Sequence, residues 1–90
     1  MQLDDLVEEF LGASDKASVV EKARREVDQL EGLESRLGKV YLRAMTKIAE
    51  GDENYPRTET GRLNRMLGGS LKPTKADEFQ MRLNILKQFL

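Results

Sequence analysis

Arg62, Arg65, Lys72 and Lys75 fall on either side of Gly68 and Gly69, and no acidic residue interrupts them between residues 61 and 76. Guanidinium and ammonium groups gathered in this way attract carboxylates and phosphates without further help. Little else in the chain offers chemistry. There is no histidine and no cysteine, which removes the commonest general base, the commonest transition-metal ligand, the thiol nucleophile and the disulfide together. Two carboxylate pairs remain, Asp4 with Asp5 and Glu8 with Glu9. A working pair needs burial to part its pKa values, and these residues are expected on the outer face of a short helix, so they read as solvated charge. The stretch "LGGS" follows no strand and reads as a helix stop rather than a phosphate cradle, and "DEN" at residues 52–54 lacks the spacing of a calcium loop. Neither a cofactor nor a metal is expected, and the chain is not expected to be an enzyme on its own.

Charge distribution narrows the partner. The chain carries 15 basic and 16 acidic residues for a net charge of −1, a balance that argues against generic binding to nucleic acid or to an anionic membrane. From residue 52 onward seven basic residues face five acidic ones, while residues 1–51 carry eight against eleven. The basic side chains are therefore either ordinary solvated charge or a patch that seeks an acidic protein segment. In the second reading Tyr55 and Leu71 border the patch as apolar anchors, and Arg57 joins Arg62, Arg65, Lys72 and Lys75 as a partner-binding candidate.

These residues must be positioned by helices. Ninety residues with 39% hydrophobic content suffice for a single modest core, and no run is long and apolar enough for a membrane span or a signal-peptide core. Leu3, Leu6, Val7, Phe10 and Leu11 step at helical spacing, with Gly12 suited to a left-handed end. Ser14 or Asp15 caps a second helix whose stripe is Val20, Ala23, Val27 and Leu30, stopped by Gly32. A third, central helix begins near Leu33 and carries Leu37, Val40, Tyr41, Ala44, Met45 and Ile48 up to Gly51. Gly38 inside it implies a close helix crossing, and Tyr41 is expected in the core with its hydroxyl at the rim. Pro56 opens a short fourth helix, with Tyr55 pushed out of the helical region, and Leu63, Met66 and Leu67 face inward. In the fifth, Thr74 and Asp77 resemble a capping box ahead of Phe79, Leu83, Leu86 and Leu90. No period-two strand occurs. The expected fold is all-α: one domain over residues 1–90, a compact five-helix bundle without strands, monomeric when isolated.

The stretches "LDDLVEEFLGAS", "GKVYLRAMTKIAEGDENYPRTETGRLNRML" and "KADEFQMRLNILKQF" resemble the D domain of the protein disulfide isomerase family, the C-terminal helical domain that follows thioredoxin-like domains. Tyr55 with Pro56, then Glu59, Arg62 and Arg65, then "LNIL" at residues 83–86 are its most telling pieces. The resemblance implies a five-helix fold, residence in the endoplasmic-reticulum lumen and protein binding rather than catalysis. It also implies docking to the P domain of the lectin chaperones calnexin and calreticulin, whose tip is acidic, in support of glycoprotein folding. Charge, not the resemblance, assigns Arg62, Arg65, Lys72 and Lys75 to that tip. Two further readings stay open: a chaperone surface that holds unfolded clients through Leu71, Tyr55 or Phe89, and a structural domain that dimerises or spaces its parent isomerase. Met1 with Gln2 reads as an added start, and the redox domains of a full-length member lie outside this chain.

Overall fold

The computed structural model describes residues 2–90; Met1 and the Gln2 side chain lie outside the described residues, and the expectation of an added start lies there with them. Five helices and no strand occur among the described residues: α1 (Gln2–Gly12), α2 (Lys16–Asp28), α3 (Gly32–Ala49), α4 (Tyr55–Leu67) and α5 (Pro73–Lys87). α1 and α2 pack on one flank of α3, α4 and α5 on the other, and neither α1 nor α2 packs against α4. The result is a slab of 41 × 28 × 17 Å.

Local signals explain most of the ends. The Asp15 carboxylate accepts the Ser18 N–H at 3.4 Å, and the Ser18 hydroxyl donates to the Asp15 carbonyl at 3.0 Å, so Asp15 is the cap of α2. Gly51 (φ 106°) ends α3: its N–H reaches the Ile48 carbonyl and the Asp52 N–H the Lys47 carbonyl, the paired bonds of a Schellman end.

Other ends depart from expectation. Gly12 keeps a negative φ, because the Lys16 ammonium satisfies the Phe10 and Ala13 carbonyls at 3.1 and 2.9 Å and sits 5.2 Å from the Phe10 ring centre. A lysine at the helix terminus thus replaces the left-handed glycine. Gly32 (φ 60°) begins α3 rather than ending α2, which stops at Asp28. Tyr55 is already helical, with Asn54 before it at the cap position. The capping box at Thr74 and Asp77 does not form. Pro73 takes the first helical position and forces Lys72 into an extended conformation (ψ 146°), leaving Thr74 inside the helix.

Two apolar clusters meet at α3. One joins Leu3, Val7 and Phe10 of α1 to Val20, Ala23 and Val27 of α2 and to Tyr41 and Met45 of α3. The other joins Ala44 to Leu63 of α4 and to Phe79, Leu83 and Leu86 of α5. Ile85 leans from α5 into the first cluster, and Phe89 packs against both, its ring edge-to-face with Phe10 at 6.3 Å. The two ends of the chain also meet through polar groups: the Tyr41 hydroxyl donates to the Asp4 carboxylate, and Gln88 Nε2 donates to the same carboxylate at 3.0 Å. Asp4 is therefore not the purely solvated acid expected from its place on the outer face. Hydrogen bonds from Tyr41 and then Gln88 hold its pKa below the usual value, while burial and then the bond to Asp4 push that of Tyr41 up to about 12.

Two outcomes follow from this packing. A Cβ on Gly38 would lie 2.9 Å from Leu30 Cδ1 and 3.2 Å from Val27 Cγ2, the close crossing of α2 on α3. Gly38→Ala gains about 1 kcal/mol of helix propensity, enough to offset the displacement of the mobile end of Leu30, whereas Gly38→Val should lose about 2 to 3 kcal/mol by overpacking. Urea denaturation of both variants checks the contrast. Tyr41→Phe should cost about 1 kcal/mol at neutral pH. Because the folded-state pKa of Tyr41 is raised from 10.0 to about 12, its contribution is complete below pH 10.0 and lost as pH rises through about 12. The advantage of the wild type over the variant should therefore shrink as pH rises above 10.0 toward about 12.

Candidate partner-binding surface

α3 is hydrophobic on the two flanks that face the clusters, and the remaining flank is basic. Arg36, Lys39, Arg43 and Lys47 follow one another at i, i+3, i+7 and i+11, an arc of about 80° at 100° per residue. Lys39 and Arg43 are exposed and Lys47 is half-buried, and none of the three forms an ion pair among the described residues. No helix among the described residues is long and apolar enough to cross a membrane.

Three shallow grooves flank this stripe. The first, of about 170 Å³ between α3, α4 and α5, is walled by Lys39, Arg43, Tyr55, Glu59 and Arg82, with Val40, Leu63 and Leu86 at its base. The second, of about 420 Å³ between α2 and α3, shares Lys39 and Arg43 and adds Arg24, Leu42, Lys47 and Glu50. The third, of about 340 Å³, lies among Arg36, Thr74, Lys75, Glu78 and Arg82.

Two of the three acids that line this surface, Glu59 and Glu78, are already paired, and Glu50 forms no ion pair among the described residues. Glu59 receives Arg62 Nε and Nη2 at 2.6 and 2.8 Å, a bidentate clamp that lowers the Glu59 pKa and raises that of Arg62. Glu78, with only 17% of its side chain exposed, receives Arg36 Nε at 3.1 Å and Arg82 Nη2 at 2.8 Å, and so ties α3 to α5. Burial by itself would raise the Glu78 pKa, but the two arginines together outweigh it and hold it low. Arg82 also lies 5.4 Å from the Phe79 ring centre, and its Nε is buried without an acceptor. Tyr55, half-buried at the mouth of the first groove, has the Arg43 guanidinium 6.0 Å from its ring centre. Burial and then the charge of Glu59 raise its pKa.

The residues singled out from the sequence are thereby divided. Tyr55 and Lys75 each wall a groove, and Arg82 lines both of those grooves. Arg62 is held by Glu59 and is not a free cation. Arg57, Arg65 and Lys72 are exposed and wall none of the three grooves; Arg65 lies back along α4, 3.7 Å from where a Cβ on Gly61 would sit. Leu71 is half-buried against the second cluster. Sequence reasoning did not single out Arg36, Lys39, Arg43 and Lys47 of α3 or Arg82 of α5, which also line this surface. The signal of the α3 residues was present as a helical period along that helix, but it emerges only once the apolar positions have been assigned to two flanks, and Arg82 of α5 carried no such signal.

Glu78→Gln should cost about 1 kcal/mol at neutral pH, because it removes one carboxylate shared by two arginines at a partly exposed site. The folded-state pKa lies below the ordinary 4.5, so this contribution is present above that value and disappears as pH falls through the lower one. Thermal unfolding of variant and wild type should differ at pH 7 and coincide in acid.

Residues 1–89 match the family described as "Endoplasmic reticulum protein ERp29, C-terminal domain". The chain is 43% identical over 89 residues to "Probable protein disulfide-isomerase A6" of Medicago sativa and 40% identical over 89 residues to "Protein disulfide isomerase-like 2-2" of Oryza sativa subsp. japonica; each match takes in 97% of this chain and 24% of the relative. It is 37% identical over 90 residues to "Protein disulfide-isomerase 1" of Dictyostelium discoideum, covering 98% of this chain and 25% of that one. The chain thus spans about a quarter of the length of these relatives. With five helices, the Tyr55–Pro56 opening of α4 and this extent of identity, the chain belongs to the ERp29 C-terminal domain family, the helical C-terminal domain of protein disulfide isomerase-like proteins.

Proposed function

We propose that this domain is a non-catalytic docking module of a protein disulfide isomerase-like parent in the endoplasmic-reticulum lumen, and that it binds the acidic tip of the P domain of a calnexin- or calreticulin-type lectin chaperone. The observation that carries the reading is the flank of α3 on which Lys39, Arg43 and Lys47 form no ion pair among the described residues, Arg43 sensing the charge of Glu59 only from farther off. Lys39 and Arg43 are exposed and Lys47 is half-buried, so these charges attract a carboxylate-rich segment without a rearrangement of the fold. The absence of histidine and cysteine leaves this segment without the side chains on which most hydrolytic and redox chemistry depends. The family description and the isomerase names of the relatives support the compartment and the parent.

Contacts of this kind give modest affinity and strong dependence on salt, since exposed charges are screened within about 10 Å at 0.1 M ionic strength. Titration of the isotope-labelled domain with a P domain should shift amide resonances, and raising salt from roughly 50 to roughly 300 mM should weaken binding about tenfold. Spectra that stay unchanged at low salt would refute the docking role. Binding insensitive to salt would transfer the argument to apolar client contact.

A further inference from the structure

We infer that the docking surface is one continuous basic track along α3, from Lys75 past Arg36 and Arg82 to Lys39, Arg43 and Lys47, and that it takes an extended acidic segment of a partner protein. The inference rests on the reading of the domain as a docking module and says where and how the partner lies. Continuity comes from shared walls. Arg82 lines both the groove that holds Lys75 and the groove that holds Tyr55, while Lys39 and Arg43 stand between the latter and the groove that reaches Lys47 and Arg24. The depressions are thus neighbours, the first and second lying on either side of Lys39 and Arg43.

Charge along the track is one-sided in effect. Its acids Glu59 and Glu78 are occupied by Arg62 and by Arg36 with Arg82, whereas Lys39, Arg43, Lys47 and Lys75 have no ion-pair partner among the described residues. Glu50 closes the Lys47 end and sets a limit there. From Arg36 to Lys47 the helix rises about 16 Å, the span of about five residues of extended chain. Beside the middle of the track, Tyr55 and the base formed by Val40, Leu63 and Leu86 offer room for one apolar or aromatic side chain. The partner segment therefore has acidic residues over about five positions, with an apolar residue among them. Arg57, Arg62, Arg65 and Lys72 lie off this line.

The test uses the 90-residue chain with two probes, a P domain and a short glutamate-rich peptide carrying one tyrosine, titrated at low salt. Lys39→Glu with Arg43→Glu should weaken both probes about tenfold or more, while the charge-matched control Arg25→Glu with Lys87→Glu should change binding less than about twofold. Lys39→Gln with Arg43→Gln, checked for retained helicity by circular dichroism, gives the same direction with a smaller loss and guards against a folding defect. Wild-type binding to the P domain that survives the track substitutions, or that falls further with Arg57→Glu and Arg65→Glu, overturns the track and leaves the docking role standing. Peptide shifts confined to the track without any P-domain binding uphold the track and overturn the proposed partner. No response to either probe overturns both.

Discussion

Burial of α3 on two flanks at once is the constraint from which the rest follows. Tyr41 and Met45 turn toward α1 and α2, Ala44 toward α4 and α5, and all three are almost fully removed from solvent. No other helix contributes to both halves so fully, although Ile85 and Phe89 help to join them near the C-terminus. A helix has about 360° of surface to distribute, and two packed flanks leave one solvated arc. That arc is where Arg36, Lys39, Arg43 and Lys47 must go. Core and solvated basic flank are thus complementary parts of one helix.

Small groups determine how closely the layers meet. Gly38 lets Val27 and Leu30 approach the α3 backbone, and the small, fully buried Ala44 packs with Leu63, Phe79, Leu83 and Leu86 on the opposite side. Polar contacts then fix the layers relative to one another without placing charge in the core, where no polar or charged residue is buried among the described ones. Asp4, Tyr41 and Gln88 tie the first helix to the last through α3, and Glu78 ties α3 to α5. The individual energies are small. Their geometric effect is larger, because each joins residues far apart in the chain and opposes sliding of one layer over another.

A chain with net charge −1 presents a basic flank because the positive charges are sorted by position rather than by number. Glu59 and Glu78 are neutralised where they stand, and acids such as Asp5, Glu8 and Glu9 lie on α1, which packs on the other side of α3. Net charge governs solubility and long-range repulsion, whereas a partner at contact distance responds to the local arrangement within a Debye length. The chain spans about a quarter of the length of its isomerase relatives, so this flank is one face of a segment that makes up a fraction of such proteins.

The sequence alone determined the helical class, the number of helices, the close crossing at Gly38 and the inward place of Tyr41, because these depend on local period, stop residues and the absence of a Cβ. It misjudged Gly12 and the Thr74–Asp77 box, since a lysine four residues onward and a proline one residue earlier supplied competing ends. Nor did it show that Arg62 is held by Glu59, an acid three residues away on the same helix and within reach of its guanidinium. Only tertiary structure decided which basic residues share a surface. Lys39 and Arg43 become neighbours of Tyr55 and Arg82 when three helices converge, and no spacing along the chain encodes the meeting of side chains that belong to different helices.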